Sequence, residues 1–316
     1  MNLQASISQY LKFRETLGKG LNHSAELVLR LYCRKIGPAT ELAAIRPEQV
    51  RSFLDGKGPL TRYWYNKHNL LVNFYRYAVS REHVNSSPLP VLLPKRPEPF
   101  TAYLYTHGDL RRLLEGTTGF QRKHVKLEAH TLRTILLLLY GGGLRVHEAL
   151  RLTLSDVNLL QSVILIRETK FHKSRLVPLG NQLNRVMAEY AARRKKDGHS
   201  QTAEAPFFVL RTGAAVGRGT LEGAYARLRK FADVHRTDGA RYQPRLHDLR
   251  HTFASNRLLA WYREGKDVQK LLPHLATYMG HVEIASTQVY LTITPELLQE
   301  ASTRFERYAL GEVCHG

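Results

Sequence analysis

The sequence predicts a mainly α-helical protein of two domains with one small antiparallel β-sheet, and three observations predict it. A chain of 316 residues exceeds the usual reach of a single hydrophobic core. Apolar residues recur at helical spacing along most of the chain. That pattern breaks once, between residues 155 and 179, where two short runs rich in branched residues flank a polar turn.

Residues 3–17, 24–35, 47–54 and 61–80 read as helices separated by polar turns, so 1–86 form a helical domain with no strand pattern. Residues 85–99 carry five prolines, a composition that supports an extended strap, and 87–103 is read as the linker. The second domain, 104–293, opens with helices at 108–114 and 128–140. Gly141, Gly142 and Gly143 end the latter, and 144–150 restart as helix. Residues 162–167 and 175–179 form the hairpin around Lys170, Phe171, His172, Lys173 and Ser174. Helices return beyond Gly180, with a basic one at 221–234, one opening near His247 and one at 268–278. In the tail, 294–316, Thr294, Pro295 and Glu296 have the signature of a helix start. Leu297, Ala301, Phe305 and Tyr308 then make an apolar stripe, with Glu300, Arg304 and Arg307 off it.

Lysine and arginine number 47 against 27 acids, a formal charge of +20, far more than solubility requires. The expected partner is a polyanion. Hydrophobic residues at 43% and aromatics at 9% separate the chain from a disordered basic tail, so it folds first and binds second. Two distant cysteines, Cys33 and Cys314, offer neither a disulfide framework nor a cysteine zinc site, which fits a reducing cytoplasm. The first residues have no signal-peptide pattern and the densest apolar run, 135–140, is too short to span a membrane. A cytoplasmic, nucleoid-associated chain without a membrane is expected.

Four separated spots hold the unusual polar residues: Arg145 with Glu148, Lys170 in the hairpin turn, His247 with Arg250 and His251, and Gly280-His281 followed by Tyr290. Singly, each has an ordinary explanation. Arg145 and Glu148 make an i,i+3 surface pair, a turn lysine is usually solvated, and one tyrosine among 16 is usually a half-buried aromatic. His247 and Arg250 share a helix face and can reach one phosphate. A metal site at His247 and His251 is rejected, because Asp248 stands where the zinc-protease pattern needs Glu and Arg250 would place a cation beside the metal. No metal or other cofactor is expected.

The order of the four spots on one basic chain resembles the tyrosine recombinase, or phage integrase, family, whose pattern runs Arg, hairpin Lys, His-x-x-Arg, Gly-His, Tyr. Gly143-Leu-Arg145-Val-His-Glu148 looks like its first arginine box, and the run from Lys170 to Gly180 looks like its lysine hairpin. His247-Asp-Leu-Arg250-His251 is close to its second box, and Tyr290 follows Gly280-His281 at the family's distance. His147 and Val282 depart from residues common in the family, and the segment from Arg250 to His281 is long. Residues 130–295 match motif by motif, the amino-terminal part only in helical character.

The resemblance implies a DNA clamp: a helical core-binding, SAM-like domain joined to a mostly α catalytic domain with a small antiparallel sheet. It implies a site-specific recombinase that joins its tyrosine to a 3′ phosphate, for integration, excision or resolution. Arg145, Arg250 and His281 would bind the phosphate, Lys170 would protonate the leaving 5′ oxygen, His247 would handle protons and Tyr290 would attack. Lys173 is the rival acid. Glu148 and His251 would support this set. The implied partner is double-stranded DNA, on which a tetramer forms when the tail helix docks on a neighbouring protomer; any accessory proteins are unknown. Arg62, Lys67 and Arg76 on the long first-domain helix, and Arg218, Arg227, Arg229 and Lys230 in the second domain, are the expected DNA-facing residues. The alternatives are a type IB topoisomerase-like or hairpin-resolving enzyme, or a non-catalytic DNA-binding relative.

Overall fold

In the computed structural model, residues 19, 59, 98–99, 120–125, 170–172, 241, 282–284, 289, 291–298, 300–301 and 303–316 fall outside the described set, and all others are described. The fold is mainly α with one three-stranded antiparallel sheet. The chain divides into two compact units, Met1–Phe100 and Thr101–Gly316.

Four helices build the first unit: α1 (Leu3–Thr16), α2 (His23–Ile36), α3 (Pro47–Asp55) and α4 (Arg62–Ser80). Asn2 and Asn22 cap α1 and α2 by accepting from backbone N–H groups left over in the first turn. Apolar positions three and four apart place Leu3, Ile7, Leu29, Leu71, Phe74 and Ala78 in one core. There Tyr32 and Tyr75 satisfy each other's hydroxyls at 2.6 Å. The proline segment goes with this unit, since the Tyr65 hydroxyl donates to the Pro94 carbonyl at 2.5 Å and Leu89 packs against the same core.

The second unit is built around α6 (Ala129–Gly141), whose Ile135 and Leu138 are wholly buried. Against it pack α5 (His107–Gly119), α8 (Asn181–Lys196) and α10 (Leu246–Arg263). Helix α8 is an element that the sequence reading covered only as a general return of helix. The short α7 (Val146–Leu150) follows the glycine break, and α9 (Arg218–Phe231), α11 (Val268–Met279) and α12 (Ala285–Gln288) complete the helices. Helix α5 runs five residues past the expected end at Leu114, and α9 starts three before its expected start.

Strands β1 (Val157–Asn158), β2 (Val163–Thr169) and β3 (Lys173–Pro178) pair in that order. Ile164 lies opposite Val177 and Ile166 opposite Arg175, and the register shifts between Ile166 and Thr169. A separate apolar cluster of Ala254, Leu258, Val268, Leu272, Leu275 and Met279 joins α10 to α11 and includes Tyr290. Among the described residues, no helix is long and apolar enough to cross a membrane.

Candidate active site

Five backbone carbonyls from two glycine turns accept from side chains of the site, three of them from Arg145 and Arg250. Gly143 and Gly280 both adopt positive φ, 61° and 64°, a region that L side chains rarely enter. A Cβ at 143 would overlap the Phe253 ring, and one at 280 would lie 2.7 Å from an Arg175 nitrogen. These turns aim carbonyls inward. Gly143 O accepts from Arg250 at 2.6 Å and Met279 O accepts from the other terminal nitrogen of Arg250. Gly280 O accepts from Arg145 at 2.9 Å, Tyr278 O from Arg175 at 2.8 Å, and Gly142 O from the Tyr278 hydroxyl at 3.1 Å.

A single carboxylate sits among the three guanidiniums. Arg145 precedes α7, and Glu148 returns to accept from its backbone N–H at 2.9 Å while its Oε1 accepts from the Arg145 side chain at 2.8 Å. Arg175 donates to both Glu148 oxygens at 3.0 and 2.9 Å, and Arg250 stands 3.9 Å away. The Glu148 side chain is 3% exposed, so Arg145 and Glu148 form a buried hub and not the ordinary surface pair that their spacing alone allows. Burial alone would raise its pKa, but the bonds from Arg175 and Arg145 pull it down to about 2. Arg250 is drawn down to about 10 by burial and the Arg145 charge, and remains cationic at neutral pH. Three guanidiniums against one carboxylate leave surplus positive charge for an anion.

His281 joins this cluster through Nε2, 3.1 Å from a terminal nitrogen of Arg250, while its Nδ1 lies 2.7 Å from Thr287 Oγ. A guanidinium only donates, so Nε2 accepts and Nδ1–H points to the threonine. Burial, with Arg250 and Arg145 adding to it, lowers the His281 pKa to about 4, which keeps the ring neutral. His247, one turn before His251 on α10, is likewise lowered to about 4 by burial and by His251 and Arg250. The two rings stand edge to face at 5.0 Å.

Tyr290 is 3% exposed, with its ring 5.4 Å from that of His251 and 6.1 Å from that of His281. Burial raises its pKa, against the lowering pull of Arg250 and Arg145. The structure therefore brings together Arg145, Glu148, Arg250, His251, His281 and Tyr290, with His247 beside His251. Lys170 and the tail helix from Pro295 lie outside the described residues.

Arg175 is the residue that sequence reasoning missed. In the sequence it is only the first residue of the second hairpin strand, yet its side chain is 11% exposed and ties β3 to Glu148 and α11. The available signal was strand alternation, which puts Arg175 on the inward face with Val177. Thr287, which orients His281, was missed as well.

Among the expected DNA-facing residues, Arg62, Arg76, Arg218, Arg227 and Lys230 are exposed. Arg218 pairs with Glu222 at 2.8 Å, and Arg229 donates to Val234 O and Gln243. Lys67 is a correction. It is 8% exposed and its ammonium donates to Phe53 O and Leu54 O at 2.7 and 2.6 Å, closing the end of α3, so it has no free reach toward a phosphate. Among the described residues, Glu128, His130 and Asp197 bring potential metal-ligating atoms within 4.8 Å of one another, with Arg211 3.8 Å from Glu128 and Arg193 3.8 Å from Asp197.

The model of the phage integrase family matches residues 106–296. The putative integrase/recombinase y4rB of Sinorhizobium fredii is 38% identical over 78% of this chain and 78% of its own length. A second protein of that organism, the putative integrase/recombinase y4rE, is 30% identical over 96% of this chain and 95% of its own. Among solved structures, the Tn1549 transposon integrase in complex with transposon right end DNA covers 98% of this chain with a TM-score of 0.71. At 17% identity over all of that chain, it shows a shared fold.

Proposed function

The chain belongs to the phage integrase family of DNA breaking and rejoining enzymes, and from that premise we propose that it is a site-specific recombinase working through a 3′-phosphotyrosine intermediate. The observation that carries this reading is the position of Tyr290, buried beside His281, His251 and Arg250 in a pocket of surplus positive charge.

A phosphodiester in transfer gathers negative charge on its non-bridging oxygens, and catalysis is then chiefly a matter of donors held in place beforehand. Arg145 and Arg250 are held in this way by carbonyls and Glu148, so their planes need no rearrangement when phosphate arrives. The Tyr290 oxygen forms a bond to phosphorus as its proton leaves, and the bond from phosphorus to the 5′ oxygen breaks. Lys170 supplies the proton to that oxygen, and His247, with His251 against it, serves proton handling beside the nucleophile. The approaching phosphate favours protonation of His281, which then changes from acceptor to donor at Nε2. The phosphodiester energy is kept in the tyrosyl link, and attack by a second 5′ hydroxyl reseals the strand without a nucleotide cofactor.

Residues 294–316 are assigned the role of joining protomers into a tetramer on two sites. Deleting 295–316 is expected to leave single-site binding and to abolish two-site complexes and complete recombination.

The testing experiment offers the protein a duplex nicked just beyond the cleavage point, so that the short fragment bearing the new 5′ hydroxyl is lost on cleavage. A covalent protein–DNA species on a denaturing gel is expected for the parent and not for Tyr290→Phe, with duplex binding equal in both. An adduct that survives in Tyr290→Phe refutes the assignment.

A further inference from the structure

Helix α4 has two sharply different faces. Trp64, Tyr65, Lys67, His68, Leu71, Phe74, Tyr75 and Ala78 are buried, whereas Arg62, Asn66, Asn69, Asn73 and Arg76 are all exposed. Their spacing of four, three, four and three residues confines these five to about 80° of the helix circumference. The helix contains no acidic residue, and Tyr63 and Val79, its exposed apolar side chains, fall off this arc. Among the described residues, no hydrogen bond occupies the three asparagine amides.

Three asparagines inside one helix run against intrinsic preference, because their side chains compete with the backbone and favour caps and turns. Nothing within the unit uses them, so their use lies outside it. A flat polar face without an aromatic or aliphatic anchor is a poor protein-binding surface. It suits the major groove of duplex DNA, which is wide enough for a helix, whereas the A-form RNA groove is too narrow. An asparagine amide can donate to N7 and accept from N6 of adenine at once, while guanine presents two acceptors on that edge. From Asn66 to Asn73 the helix rises about 10 Å, the length of about three base pairs.

We infer that the exposed face of α4 reads adenine-containing base pairs in the major groove through Asn66, Asn69 and Asn73, with Arg62 and Arg76 holding phosphates at either end. This rests on the reading of the chain as a DNA recombinase and adds to it which residues choose the sequence and which base they choose. The arginines position the helix and the amides specify.

The test is binding-site selection from random duplex DNA with the full chain, its Asn66→Ala, Asn69→Ala and Asn73→Ala variants, and the triple variant. Alanine raises helix propensity, and far-ultraviolet circular dichroism checks that the fold is kept. The parent should select a motif with adenines clustered within about three to four base pairs, and each variant should lose the preference at one position. Affinity for the parent's motif should fall about tenfold per lost pair, with binding to random DNA unchanged. Replacing those adenines by 7-deazaadenine should weaken the parent but not the matching variant. Arg62→Ala and Arg76→Ala should instead weaken binding to all sequences and reduce the salt slope by about one each. Variants that select the parent's motif with the parent's affinity overturn the inference, as does a preference for duplex RNA or a parent with no sequence preference. Covalent adduct formation, measured on the same variants with unselected DNA at high protein concentration, separates the two readings. Adducts without asparagine-dependent selection sink the inference alone, and asparagine-dependent selection without any adduct sinks the recombinase reading alone.

Discussion

Arg175 grips Glu148 with both terminal nitrogens, at 3.0 and 2.9 Å, and its Nε donates to the Tyr278 carbonyl. One side chain thus ties the β2–β3 hairpin to α7 and to the end of α11. Its strand, β3, belongs to the hairpin whose sequence carries the proposed proton donor, and α11 leads to His281, so Arg175 joins the two elements.

Arg175→Ala should therefore act on both stability and cleavage. Glu148 keeps Arg145 and Arg250 but loses two charged hydrogen bonds, and the Tyr278 carbonyl loses its donor, so stability should fall by about 1–3 kcal/mol. Arg175→Lys keeps the charge but loses the paired geometry, so it should recover much of the denaturation midpoint and little of the cleavage rate. Full recovery of cleavage by the lysine variant would reduce Arg175 to a charge alone.

Arg145→Ala should lower strand cleavage by about 3–4 kcal/mol, several hundredfold in rate, while changing duplex affinity far less. Arg250 is almost wholly buried, so Arg250→Lys is the informative change there, with the same split expected between single-turnover cleavage and gel-shift affinity. Equal losses in the two assays would make these arginines ordinary phosphate contacts.

Gly280→Ala asks a φ of 64° of an L residue and sets its Cβ 2.7 Å from the Arg175 guanidinium. The backbone conformation costs about 1–2 kcal/mol. The larger effect should be on rate, because the displaced segment carries the carbonyl that orients Arg145. A variant with parental cleavage kinetics at saturating DNA would show that this carbonyl does not set the arginine.

The site should weaken the fold in acid. His247 and His281 have folded pKa values of about 4, below the ordinary histidine value of 6.5. Between 6.5 and 4 the unfolded chain binds protons that the folded chain does not, so stability falls as pH drops through that window. Glu148, lowered from 4.5 to about 2, extends the loss from 4.5 downward. Urea unfolding midpoints measured from pH 8 to 3 should hold level above about 7 and decline below 6.5. A midpoint level down to pH 4 would contradict the buried neutral histidines.

Lys170→Ala should lose cleavage on normal DNA and regain it when the bridging 5′ oxygen is replaced by sulfur, a leaving group that needs no proton. Rescue of Lys173→Ala in place of Lys170→Ala would move the acid three residues along the hairpin.

Much of the site was legible because it is written in short spacings. Arg145 with Glu148 and His247 with Arg250 and His251 each lie within about one helical turn, so local geometry joins them wherever the helices go. The run ending at Gly143 was legible as a helix break, whereas Gly280 was legible only as the partner of His281 in a Gly-His pair. Arg175 was not, because a strand arginine gains meaning only from what the strand faces. Lys67 was misread for a related reason: its basic side chain lies on the buried side of α4, where it completes the hydrogen bonding of α3.

By itself the sequence determined the helices, the single hairpin, the proline segment, the excess of basic charge and the types and order of the candidate groups, since all of these follow from local propensity, periodicity and composition. The tertiary structure alone decided that Glu148 is buried under three guanidiniums, that two glycine turns spend five carbonyls on orienting side chains, and that His281 is a neutral acceptor. It also decided that five side chains of α4 share one free face. These depend on which groups meet across sequence separations that run from 27 residues for Arg175 with Glu148 to 135 for Arg145 with Gly280, and on how far water is excluded there; burial and long-range pairing are properties of the packed chain that no local pattern carries.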